Sequence, residues 1–157
     1  MLMTRDNAAE ILTKELSNYK RYSRLIRNCE ENIKKYENDA MNIRSPRTDR
    51  VGENTSALEF DLLKVLNQLD LEKRKIEAYS EMQSWILEVV NNIDNKSLRP
   101  DIIRVFLRGE ERKVVAAERG IRYKLLNDQI KRALSKSLKP KQVDRYNQIR
   151  KKIASVN

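Results

Sequence analysis

Eight residues between positions 112 and 132 carry side chains suited to a nucleic acid: Arg112, Lys113, Arg122, Tyr123, Lys124, Asn127, Lys131 and Arg132. Arginine and lysine donate to phosphate oxygens or to the acceptor edge of guanine, and asparagine presents the donor and acceptor pair that matches adenine. Tyr123 adds a ring and a hydroxyl at the same place. These residues sit in the basic part of an electrostatically divided chain. Residues 99–157 hold 17 Lys and Arg against 6 Asp and Glu, a net of +11, whereas residues 1–98 hold 16 against 17, a net of −1. A concentrated basic face attracts a polyanion, because neutralising phosphates releases condensed counterions. A nucleic acid is therefore the expected partner, which a helix-turn-helix unit in the same segment narrows to double-stranded DNA.

Other chemistries find few residues. The chain has no histidine and one cysteine, Cys29, so histidine-containing zinc sites, Ser-His-Asp triads, Cys-His dyads and an intramolecular disulfide are excluded. Its three glycines form neither a Walker-type loop nor a dinucleotide fingerprint. Acidic neighbours such as Glu30-Glu31 and Glu110-Glu111 point about 100° apart on a helix, so they read as solvated charges rather than a catalytic pair. No enzyme activity, metal or cofactor is expected.

The elements that must position the basic residues read as helices throughout. With 36% charged residues and only 3 Gly and 3 Pro, the composition suits long helices and lacks the turn residues that many strands need. The fold class predicted is all-α. No run of about 18 apolar residues is present, so no membrane partner is expected. The start MLMTRDNAAEIL lacks the apolar core of a secretion signal, which predicts a cytoplasmic protein. The triplets Asn54-Thr55-Ser56 and Asn95-Lys96-Ser97 then read as chance rather than glycosylation sites.

Residues 1–98 read as a long antiparallel, coiled-coil-like hairpin. Ala8, Leu12, Glu15, Tyr19, Tyr22, Ile26, Cys29, Ile33, Tyr36 and Ala40 follow alternating steps of four and three, with only Glu15 out of character on the seam. Cys29 and the tyrosines read as buried packing groups. Pro46, Gly52 and small polar residues predict a loop over about 43–56, with Thr55 or Ser56 capping the next helix and Glu59 as its capping-box partner. Arg44, Arg47 and Arg50 in that loop read as solvated charges rather than a binding site. A second series runs through Leu62, Leu66, Leu69, Ile76, Tyr79, Ile86, Val90 and Ile93, interrupted at Lys73 and Gln83. Each helix would be roughly 50 Å long. Such a hairpin suits a homodimer or another partner.

Residues 99–138 read as a helix-turn-helix unit. Pro100 opens a short helix over 101–108 that Gly109 stops. A second helix over 110–119 has Val114, Val115 and Ala116 for the inside, Gly120 supplies a left-handed turn, and Ile121 plugs the corner. Ala116 allows the helices to cross closely. The next helix places Leu126, Ile130, Ala133 and Leu134 inward and Tyr123, Lys124, Asn127, Asp128 and Lys131 outward. Residues 139–157 form a short basic terminal helix expected to pack on this unit, with Arg150-Lys151-Lys152 beside its apolar row.

The run from Gly109 to Ile121, followed by Leu126, Ile130 and Arg132-Ala133-Leu134, resembles region 4 of bacterial sigma factors. With its helical first half and the loop Thr48-Asp49-Arg50-Val51-Gly52, the chain is similar to small phage transcription regulators of the ArpU and RinA type over about residues 5–138. The resemblance implies a recognition helix that reads promoter-like DNA, regulation of late phage genes, and action in the bacterial host cytoplasm, with RNA polymerase as a further partner. The pattern departs at Arg122, where Ser or Thr usually caps the recognition helix, and at Leu125, a commonly polar position. Two rival readings are a coiled-coil adaptor whose basic end docks on an acidic part of the transcription machinery, and a phage DNA-packaging subunit.

Overall fold

The computed structural model describes residues 2–44 and 55–157. Among them the chain is entirely helical, with α1 (Ala8–Ser17), α2 (Tyr19–Arg44), α3 (Thr55–Asn91), α4 (Arg99–Ile102), a π-helical turn (Ile103–Leu107), α5 (Arg112–Arg119), α6 (Tyr123–Ser137) and α7 (Pro140–Val156). The all-α reading holds. Arg47, Arg50 and most of the expected 43–56 loop lie outside the described residues, and the proposed caps at Thr55 and Ser56 rest on side chains that are not described.

α2 and α3 form the hairpin. The α2 seam is the expected one: Tyr22, Cys29 and Ala40 are buried, and Tyr19, Ile26, Ile33 and Tyr36 are half-buried. The α3 seam differs from its expected register. Its inward positions are Leu62, Val65, Leu69, Glu72, Ile76, Tyr79, Gln83, Ile86, Val90 and Ile93, an unbroken alternation of three and four, whereas Leu66 and Lys73 face outward. Glu72 and Gln83 belong to this seam because each meets a polar partner across it. Asn32 Nδ2 donates to Glu72 Oε2 at 3.5 Å, and Gln83 Nε2 donates to Tyr19 O at 3.2 Å and Ser23 Oγ at 2.6 Å. Hydrogen bonding removes the cost of burying these groups, so a polar residue need not leave a coiled-coil seam.

The expected single helix over 8–40 is divided at Asn18, whose N–H bonds to both Lys14 O and Glu15 O. The break frees α1 to pack against α6 and the π-helical turn as well as α2. Glu15, the odd residue on the seam, is the node of this junction. It is 4% exposed, and its carboxylate accepts Tyr22 Oη at 2.6 Å and Tyr146 Oη at 2.8 Å. Burial, reinforced by this carboxylate, pushes both phenols above their usual range.

The terminal helix departs from expectation in its packing. α7 lies along α3, on the hairpin, rather than on the 99–138 unit. Trp85 is fully buried; its Nε1–H donates to Gln142 O at 2.9 Å and its ring sits 5.0 Å from that of Tyr146. Lys152 bonds Glu81 at 2.8 Å, Arg145 bonds Glu88, and Tyr79 Oη donates to Asn157 Oδ1 at 3.2 Å. Asn147 also holds the N-terminal strand of coil by paired bonds to the Met3 backbone. One buried cluster runs from Leu12 through Trp85 and Ile102 to Leu126, Leu134 and Ile149, so the base of the hairpin, α1 and the helices after residue 99 share a core.

Candidate nucleic-acid interface

The turn between α5 and α6 is built as its sequence requires. Gly120 has φ 68° and ψ 28°, and its N–H and that of Ile121 close the end of α5 on Ala117 O and Ala116 O. Such a left-handed residue satisfies the last carbonyls of a helix, and glycine takes it without steric cost. Val115, Ala116, Leu126, Ile130 and Leu134 are buried between the helices and the core, with Ile121 half-buried at the corner. Val114 differs from expectation. It is 47% exposed, because a helix of eight residues can turn only the Val115 and Ala116 side toward the core.

Arg122 occupies the residue before α6 with extended backbone, φ −71° and ψ 143°, and makes no side-chain cap. Its carbonyl accepts the Leu126 N–H at 3.1 Å, so the first turn closes through the main chain. No side chain caps the first turn of α6, and a helix start of this kind suits a negative group.

Of the eight sequence-selected residues, six are exposed: Lys113, Arg122, Tyr123, Lys124, Lys131 and Arg132. Arg112 and Asn127 are half-buried and engage each other. Arg112 Nη1 donates to Asn127 Oδ1 at 2.9 Å, and its guanidinium lies 5.1 Å from the Phe106 ring centroid. This pair ties the start of α5 to the second turn of α6, so both residues position the helices; the bond occupies the Asn127 amide oxygen and leaves its amide nitrogen as the donor.

Which cations are neutralised separates the surfaces of the basic segment. Arg104 bonds Glu110 at 2.9 Å and Glu118 at 2.6 Å, and Arg119 bonds the nearly buried Asp101 at 2.6 Å. These contacts hold the Glu110 carboxyl below its ordinary range, chiefly through the Arg104 hydrogen bond. Sequence reading missed this bracing network, although Asp101, Arg104 and Glu118 stand at the polar positions of two short amphipathic helices. By contrast Arg122, Lys124, Lys131, Arg132 and Lys136 make no ion pair among the described residues. Lys124, Lys131 and Ser135 share one side of α6 with Asp128. Asp128, Lys131, Arg132, Ser135 and Lys136 line a shallow depression there.

No protein-family model matches this chain, and comparison with curated proteins and with solved structures returns no match. Among the described residues no group of His, Cys, Asp and Glu has a metal-binding arrangement, and no helix is long and apolar enough to cross a membrane. Cys29 is buried, its thiol pushed up to about 11 by burial and by the Glu72 carboxylate, and it lies in the hairpin seam away from this face.

Proposed function

We propose that the chain is a non-enzymatic regulator of transcription that binds double-stranded DNA with the outward side of α6. The observation that carries this reading is the set of exposed cations Arg122, Lys124, Lys131 and Arg132 on and beside one helix, without an ion pair among the described residues and next to a braced turn, while the carboxylates Asp101, Glu110 and Glu118 are occupied by other arginines. An exposed helix of this kind fits a major groove about 12 Å wide. Lys113, Arg122 and Arg132 contact phosphates, Lys124 and Lys131 contact phosphate or guanine, and Tyr123 meets a base edge. Arg112 and Asn127 hold the two helices in register. Phage late genes, through the ArpU and RinA resemblance, are the proposed targets.

The test is fluorescence anisotropy with a labelled duplex across a salt series. Replacing Lys124 and Lys131 together with alanine lowers affinity and reduces the slope of log K against log salt by about 2, one unit per lost phosphate contact. Unchanged affinity and slope overturn the assignment. Selection from random fragments then reads specificity: one enriched motif marks base readout, and uniform salt-sensitive retention marks backbone attraction alone.

A second reading is favoured by the exposed apolar residues Val114, Tyr123 and Leu125, 45–47% exposed on the same two helices. A mixed apolar and basic surface also suits an acidic protein such as a polymerase subunit. Polymerase binding without binding to any duplex supports that reading.

A further inference from the structure

α3 carries a second face, turned away from the α2 seam, of which α7 covers the lower part. Ala78, Met82, Trp85 and Val89 lie on this face and are buried, and α7 runs along it until Asn157 reaches Tyr79. Toward the hairpin tip the same face continues with Leu71, Asn67, Lys64, Leu63 and Phe60. Residues 18 apart on a helix are five turns apart and point the same way, so Asn67 repeats the position of Trp85, Leu71 that of Val89 and Asp70 that of Glu88. Among the described residues none covers the helix here: Phe60 is 68% exposed, Leu63 57% and Leu71 38%. With Lys64, Asn67 and Gln68 they line a shallow groove of about 320 Å³.

The edges of the face continue as well. Where α7 lies, Glu81 and Glu88 hold Lys152 and Arg145. Along the same edge toward the tip stand Glu77, Asp70 and Glu59, all exposed, with Asp70 bonded to Arg74 at 3.0 Å on the surface. Exposed pairs of this kind contribute little and exchange readily. The acidic edge is thus prolonged beyond the helix that uses it, and the apolar row in part: Phe60 and Leu71 repeat Ala78 and Val89, whereas Lys64, Asn67 and Leu63 stand where Met82, Trp85 and Glu81 do.

We propose that this distal groove of α3 receives an amphipathic helix with a basic edge from a partner protein, laid along α3 as α7 is. The partner's requirements follow from α7: apolar residues at steps of three and four, as in Tyr146, Ile149, Ile153 and Val156, and Lys or Arg beside them to meet Asp70 and Glu59. The groove lies on the hairpin and does not depend on the DNA reading.

The probe is a labelled synthetic peptide of residues 140–157, which has this chemistry, titrated with the full chain and read by anisotropy. Saturable binding is expected, weakened at least about tenfold by Leu71→Glu, at the position that repeats the buried Val89, and by Asp70→Lys, and regained on the Asp70→Lys chain by a peptide with Arg145→Glu and Lys152→Glu. Both substituted positions are exposed, and an unchanged circular dichroism spectrum verifies the fold. No saturation up to about 1 mM, equal binding to the Leu71→Glu chain, or a concentration-dependent dimer of the chain that Leu71→Glu abolishes overturns the proposal. Equal binding would mean that the peptide displaces α7, and a dimer that a second copy fills the groove.

Discussion

Glu15 occupies a position where a heptad calls for an apolar side chain, and its carboxylate is instead bonded by Tyr22 and Tyr146 from two other helices. A buried charge is tolerable only when its lone pairs are used, and each bond to a charged group contributes more than a neutral one. Replacing Glu15 with alanine removes both acceptors and leaves two phenols in a buried site. The expected loss of stability is about 2–4 kcal/mol, measured by urea denaturation. The residue was legible in the sequence as an anomaly, but its partners were not. Tyr22 lies seven residues away and Tyr146 more than a hundred, and no periodicity links α1 to α7. Arg112 and Asn127 give the same lesson. Their types suggested readout, and their mutual bond makes them braces.

At the scale of elements, short-range steric rules were the most readable part. Gly120 was expected to be left-handed because a tight connection needs such a residue, and its φ of 68° follows. Nothing lies within 4 Å of a Cβ added there, so Gly120→Ala costs only the backbone conformation. That is about 1 kcal/mol, read as a shift in the denaturation midpoint without a change in slope. The α3 register was less readable, since two faces of that helix are apolar. Leu66 and Leu69 looked like neighbours on one stripe, whereas Val65 and Leu69 share the α2 seam and Phe60, Leu63 and Leu71 belong to the other face. A helix that packs on two sides blurs the period from which a single seam is read.

For the whole molecule, the distribution of buried residues sets a gradient of stability. The continuous core lies around the lower part of α3, from Ala78 to Val90, where α2, α4 and α7 pack on it and residues of α1 join the same buried cluster. Toward the tip, Ala40 and Leu69 are the buried apolar residues among those described, and they stand apart from that core. Amide exchange is expected to be slowest in residues 79–93 and faster by two or more orders of magnitude in residues 36–42 and 58–66, which corresponds to roughly 3 kcal/mol of local opening free energy. Uniform protection along the hairpin would show instead that the tip shares the stability of the base. The salt bridges between α7 and α3 add little to this gradient, because both partners are partly exposed. Trp85 and its neighbours supply the larger part through apolar burial.

The hairpin helix α3 ends at Asn91 and not at the expected Leu98 to Pro100, but the sequence by itself determined the helical class, the α2 seam, the turn at Gly120 and the location of the positive charge. Each follows from local periodicity, backbone sterics or simple counting, which act over a few residues or need no structure at all. Only the tertiary structure decided that α1 leaves the hairpin to join α6, that α7 returns to α3, and which cations are neutralised. Those outcomes depend on which surfaces meet once the chain has folded. An apolar stripe specifies that it must be covered, and an exposed charge that it prefers a counterion. Neither specifies which distant element arrives, because burial is non-directional and several partners satisfy it equally until geometry selects one.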